Sequence, residues 1–308
     1  MPEPELPPLY HAAVANDLAE VRRLLENGAD PNDGESVFHA AELNHRGVVD
    51  LLIAHGCDIS NAHAVFGNTP LHFLCCRTDD RGGRADWHQG IAHLLERGAD
   101  PNVPSGREAE TPLHQVATAP GAVATLKLLL DRGANPLARN AAGQTPYQAA
   151  VQNGNREAAR LIAERGGAVP LSDEDEFMGA CRFGDESRAR GMLERKPELR
   201  ELLSREVAFA GTILHWAAWN GQPAGVRTLI ALGADVNTRD REFGSSPLAW
   251  AAHGSQACRT ADEAYCEVVD LLKAAGATRE ASINKWNETP ESMASPAVAA
   301  RLRSGPPG

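Results

Sequence analysis

The chain has 308 residues, and 30 Lys and Arg against 41 Asp and Glu give it a formal net charge of −11. That balance disfavours nucleic acid as the main ligand, since phosphate binding depends on a surface rich in Lys and Arg. No stretch approaches the roughly 18 apolar residues of a membrane span, and Met1–Pro8 has neither a basic start nor an apolar run, so a soluble, cytoplasmic protein is expected. Hydrophobic residues make up 43% and aromatics only 5%, which suits a core of Ala and Leu and makes any local gathering of aromatics informative. Lysine accounts for four of the 30 basic residues and Ala is abundant, a bias that points to a GC-rich, bacterial coding sequence. The six cysteines show no Cys-x-x-Cys spacing. Cys57, Cys75 and Cys181 stand where parallel segments carry Ala and read as small buried thiols; a Cys258–Cys266 disulfide or a metal site is the alternative.

The predicted elements form a series of similar helix pairs. The first, Leu9-Tyr10-His11-Ala12-Ala13 followed by Val21, Leu24 and Leu25, closes at Gly28 behind a proline-rich tail over 1–8. A short connection with a turn at Asp33-Gly34 leads to the second, Val37-Phe38-His39-Ala40-Ala41 and then Val48 to Ile53, closing at Gly56. The third opens with Thr69-Pro70-Leu71-His72 and carries an insertion within Arg77–Gln89, whose charges and glycines place it on the surface. Trp87, in that insertion, either folds back on the helices or contacts a partner. The fourth and fifth pairs open at Thr111 and Thr145 and close at Gly133 and Gly166.

Gly166–Glu176 then marks a bend or a sub-domain seam, although its acidic run equally suits the first turn of a helix. The sixth pair, Phe177-Met178-Gly179-Ala180-Cys181 and then Met192-Leu193, lacks a Thr-Pro start, and a short extra helix is expected around Leu199–Leu203. The seventh, Thr212-Ile213-Leu214-His215-Trp216-Ala217-Ala218-Trp219 with Val226, Leu229 and Ile230, is the most complete. The eighth runs from Ser246 through Trp250-Ala251-Ala252, with an insertion within His253–Tyr265 before Val268 and Leu272. A partial ninth begins at Thr289-Pro290-Glu291, where Glu291 replaces a leucine, and 303–308 are expected to be disordered.

Each pair obeys one logic. Thr caps a helix, and Pro is tolerated beside it because the first helical N–H groups have no intrahelical partner. Leu and two alanines share one face, and the small alanines let a second apolar helix approach closely. A Gly then ends the second helix in the left-handed conformation, and Asp-x-Asn turns the chain toward the next copy. Thr-Pro-Leu-His stands intact at Thr69–His72 and Thr111–His114, and Gly-Ala-Asp at Gly28–Asp30, Gly98–Asp100 and Gly233–Asp235. This series resembles the ankyrin repeat, whose signatures recur about every 33 residues. The resemblance implies an all-α solenoid of helix-turn-helix units with short hairpin loops, about eight repeats plus a partial C-terminal cap, divided as repeats one to five over 9–170 and the remainder over 171–302.

His72, His114 and His215 share one place in the repeat, and the resemblance makes them structural ligands of neighbouring loop backbone. His11 and His39, one residue further on, face the inner surface with Glu42 one turn beyond; solvated polar positions are the plain reading, and a His/Glu metal or acid–base site the sharp one. No phosphate-cradling loop, nucleophile elbow or zinc spacing is present, so no catalytic residue, metal or cofactor is expected. The resemblance places the positions after His and after Ala-Ala on a concave recognition face. In the sixth to eighth pairs these are Arg182, Phe183, Trp216, Trp219, Trp250 and His253, with Phe209 and Phe243 in the adjoining loop tips. Together with Trp87 they are the expected contacts of a protein partner, bound by a non-catalytic monomer. Trp216 and Trp250 alternatively fill space between repeats. An enzyme or small-molecule groove walled by the two insertions, and an exported effector or inhibitor, are the other readings.

Overall fold

The computed structural model describes residues 6–60, 67–76, 87–119, 121–257, 260–279 and 282–304. The chain divides into two compact units, one of Met1–Pro146 with Leu161–Ala168 and one of Tyr147–Arg160 with Val169–Gly308. Among the described residues there is no strand, only an isolated bridge between Ser105 and Glu110, and no helix is long and apolar enough to cross a membrane.

In the first unit the helices come in pairs: α1 (Pro8–Val14) with α2 (Leu18–Glu26), α3 (Ser36–Glu42) with α4 (Arg46–Ala54), α5 (Pro70–Cys76) with α6 (Trp87–Glu96), and α7 (Pro112–Thr118) with α8 (Val123–Asp131). First helices stack on first helices, α1 on α3, α3 on α5 and α5 on α7, while α2 packs on α4 and α6 on α8. The alanines permit this: Ala13, Ala40, Ala41 and Ala117 are buried, as are Leu52, Leu94 and Leu129 of the second helices. The next pair, α9 (Pro146–Gln152) and α10 (Arg156–Glu164), is shared between the two units.

The second unit continues with α11 (Asp173–Phe183), α12 (Glu186–Arg195), α13 (Ile213–Trp219), α14 (Pro223–Ala231), α15 (Pro247–Ala257), α16 (Asp262–Ala274), α17 (Pro290–Met293) and α18 (Pro296–Arg303). Its core gathers Phe177, Met192, Leu214, Leu229, Tyr265 and Leu272. The acidic stretch at 173–176 is the first turn of α11, capped by Ser172, whose hydroxyl accepts from the Asp175 N–H. The extra helix after the sixth pair is a 3-10 stretch over Pro197–Leu203, which buries Leu199, Leu202 and Leu203.

The signature residues act as their chemistry requires. Thr111 N–H and Thr212 N–H donate to Nδ1 of His114 and His215, at 3.2 and 3.0 Å. Each ring must then carry its proton on Nε2, which donates to the Gln144 and Ser245 carbonyls at 2.9 and 3.1 Å. His72 does the same to the Glu110 carbonyl. One neutral imidazole thus caps its own helix and holds the next loop. The glycines that close the second helices, Gly28, Gly56, Gly98, Gly133, Gly166, Gly233 and Gly276, all lie at φ between +80° and +94°, where a Cβ is strained. After them, Asn32, Asn102 and Asn237 each accept a main-chain N–H of the following repeat and donate to the carbonyl of its closing glycine.

Three expectations are corrected or bounded. The insertion after His253 is largely helical: α15 runs on to Ala257 and α16 starts at Asp262, because Ser255 and Tyr265 find buried places there. Trp87 is the first residue of α6 and not a loop residue. The ninth pair is a short but complete pair of helices, in which Glu291 sits 3.2 Å from Arg279. The rest of the first insertion, Cys258 and the ends of the chain lie outside the described residues. Cys57, Cys75 and Cys181 are buried and form no disulfide, and burial pushes the Cys57 and Cys181 thiols up to about 12.

Candidate functional site

The second unit brings its aromatic residues together by letting two first helices approach closely. Ala217, Ala218, Ala251 and Ala252 are fully buried between α13, α15 and their neighbours. Gly254 lies so near α13 that a Cβ there would stand 2.2 Å from the Trp219 carbonyl oxygen. Trp216 and Trp219 are one helical turn apart on α13, as Trp250 and His253 are on α15, so the four side chains meet across the seam. Trp250 is the hub: its ring lies 5.3 Å from Trp216 and 5.9 Å from Trp219, edge to face in both cases. Trp219 in turn packs on His253 at 5.1 Å.

Trp250 is only 4% exposed, and its indole N–H donates to the Asp240 carboxylate at 2.9 Å. The same carboxylate accepts the Phe243 and Ser245 main-chain N–H groups, at 2.5 and 2.9 Å, and so shapes the loop before α15. Trp216 and Trp219 are half-buried and His253 is exposed. Phe243 reaches Trp250 at 6.3 Å, and Phe209 stacks on Phe243 at 6.1 Å. Phe209 is 53% exposed and is held at φ +56°, a left-handed conformation that a bulky side chain rarely adopts.

Between these rings is a pocket of about 510 Å³. Six of the expected site residues line it: Phe209, Trp216, Trp219, Phe243, Trp250 and His253. The far wall was missed by the sequence reading; it comes from the loop before α17 and from α17, with Asn284, Trp286, Glu288 and Met293. Trp286, 59% exposed, lies 6.0 Å from Phe243. A signal for it exists in register, because Phe209, Phe243 and Trp286 each stand three residues before the Thr212, Ser246 or Thr289 that opens the next helix.

Three expected contacts are elsewhere. Arg182 is buried, not on the face: its guanidinium donates to the Gln222 side chain at 3.0 Å and to the Gln152 carbonyl at 3.0 Å, with Trp216 O at 3.4 Å. Burial among these neutral acceptors pushes its pKa down to about 9. Phe183 is half-buried, with the Arg156 guanidinium 4.7 Å above its ring. Trp87 belongs to the first unit, at the start of α6.

The first unit offers less chemistry. His39 Nδ1 lies 2.8 Å from Glu42, with Glu35 at 3.5 Å from its other nitrogen, and the Tyr10 ring packs against both His11 and His39 at 5.3 Å. Among the described residues no group of three or more His, Cys, Asp or Glu is placed to hold a metal.

A family model described as "Ankyrin repeats (3 copies)" matches residues 9–104 and 85–173, and a second, "Ankyrin repeat", matches 211–241. Among curated proteins, mouse Ankyrin repeat and SOCS box protein 16 is 40% identical over 86 residues, 28% of this chain and 18% of that protein. Mouse Rabankyrin-5 is 28% identical over 162 residues, 47% of this chain and 13% of that protein. Human SH3 and multiple ankyrin repeat domains protein 2 is 29% identical over 178 residues, 56% of this chain and 9% of that protein. The chain spans less than a fifth of the length of these relatives.

Proposed function

Because the chain belongs to the ankyrin-repeat family, whose model covers more than half of it, we propose that it is a non-catalytic module that binds another protein through the aromatic surface of its second unit. The fold alone does not fix a function, so the reading rests on one observation. Phe209, Trp216, Trp219 and Trp286 present large apolar rings around one open pocket, and Phe209 is kept exposed in a strained backbone. Apolar rings left to water in this number are costly in isolation and become favourable when a partner covers them. Interfaces concentrate their energy in such residues. Trp250, sealed behind them and tied to Asp240, holds the surface in shape.

The test is affinity purification of the tagged protein beside a Trp219→Ala variant, with retained proteins identified by mass spectrometry and the strongest then titrated against both. The wild type should retain a protein whose affinity falls by about thirtyfold or more in the variant. Equal retention by a folded Trp219→Ala chain would remove the aromatic surface from the interface.

A further inference from the structure

We propose that the aromatic pocket receives an arginine side chain from a basic segment of the partner, an inference that rests on the protein-binding reading above. Of the described residues that line the pocket, Glu288 is the one carboxylate, and no Lys or Arg is among them. Glu288 is exposed, and only one of its oxygens is engaged, by the Asn284 amide at 2.7 Å. The second oxygen faces no donor among the described residues. The walls are therefore largely aromatic with a single carboxylate at the edge, a combination that attracts a cation and repels an anion.

The protein already uses its own aromatic faces in this way. Arg156 stacks over Phe183, and the Lys285 ammonium lies 4.6 Å over Trp286 and 5.8 Å from Phe243, its proton donated to the Glu242 carbonyl. Trp219 and Phe209 have no such internal cation among the described residues. The net charge of −11 favours a basic partner over an acidic one.

Arginine fits better than its rivals. A guanidinium is planar and weakly hydrated, so it can lie against an indole while its edge donates to a carboxylate. A lysine ammonium is a compact, strongly hydrated charge and loses more on entering apolar walls. A leucine would satisfy the rings but would strip water from Glu288 and return nothing.

Tryptophan fluorescence of the full chain would be titrated with blocked peptides acetyl-Gly-Gly-Xaa-Gly-Gly-amide, where Xaa is Arg, Lys, Leu or citrulline, the neutral isostere of arginine. The Arg peptide should give saturable quenching and bind about tenfold more tightly than the citrulline peptide. Glu288→Gln, which keeps an acceptor for Asn284, should abolish that preference without changing the melting temperature. Lys285→Ala removes a neighbouring positive charge and should tighten the Arg peptide while leaving citrulline unaltered. Equal binding of Arg and citrulline, of Arg and Lys, or of Arg and Leu would overturn the proposal, as would no saturable binding of the Arg peptide. Should a retained partner be lost with Trp219→Ala yet be indifferent to Glu288→Gln and to excess arginine amide, the protein-binding reading stands and the arginine proposal falls.

Discussion

The indole N–H of Trp250 reaches the buried carboxylate of Asp240 across 2.9 Å, and this bond separates scaffold from contact surface among the tryptophans. Trp250→Phe keeps a ring in the seam but removes a donor from a buried carboxylate. It should lower unfolding stability by about 1–3 kcal/mol, read as a lower urea midpoint with unchanged slope. Trp219→Phe, which breaks no such bond, should shift the midpoint much less. Equal shifts would show that Asp240 draws no stability from the indole.

Acid should loosen the fold through its capping histidines. Burial holds His72 at about 4 and lowers His114 and His215 as well, while the unfolded chain takes up protons near pH 6.5. Between those values the unfolded state binds more protons, so stability is fully present above about pH 6.5 and falls as pH drops toward about 4; for His72 alone the full loss is roughly 3 kcal/mol. Urea titrations across that range should give a shallower slope for His72→Gln than for the wild type. Parallel slopes would mean that the buried ring is protonated without cost.

Gly254→Ala should damage the site from behind. Its Cβ would meet the Trp219 carbonyl at 2.2 Å and the α13 backbone at 2.9 Å, so α13 and α15 must part. A loss of about 2 kcal/mol or more is expected, together with a changed tryptophan emission spectrum because Trp219 and Trp250 separate. An unaltered spectrum and midpoint would show that the two helices slide apart freely.

Arg182→Ala should lower stability and leave recognition alone. It removes bonds to Gln222, Gln152 and Trp216 and leaves a cavity where the guanidinium was buried. The expected loss is about 3 kcal/mol, with partner affinity per folded molecule unchanged. A weakened affinity at full folding would return Arg182 to the contact surface.

The repeat was legible because its residues have local reasons: Thr111 caps, Pro112 needs no N–H partner, Gly133 takes a left-handed turn, and each can be read in place. The aromatic patch was legible in part for the same reason, since Trp216, Trp219, Trp250 and His253 follow helical spacing. Arg182 misled because the same position on a helix faces outward in one pair and, where Gly154 and Gly225 thin the neighbouring backbone, inward in another. Trp286 escaped because the pattern around it is weak, and only its register with Phe209 and Phe243 marks it. The helical insertion after His253 depended on Tyr265 donating to the Trp219 carbonyl, a contact between residues distant in sequence.

The asparagines that clip one repeat to the next have a consequence for the lifetime of the molecule. Asn32, Asn102 and Asn237 each present a carboxamide as though it were a further peptide group, giving one hydrogen bond and accepting another. Spontaneous deamidation leaves the peptide chain intact but turns the donor into a carboxylate that faces the Gly56, Gly133 or Gly276 carbonyl oxygen. Ageing of this kind would unfasten neighbouring repeats one stitch at a time, with one amide exchanged for one acid at each site and no break in the backbone.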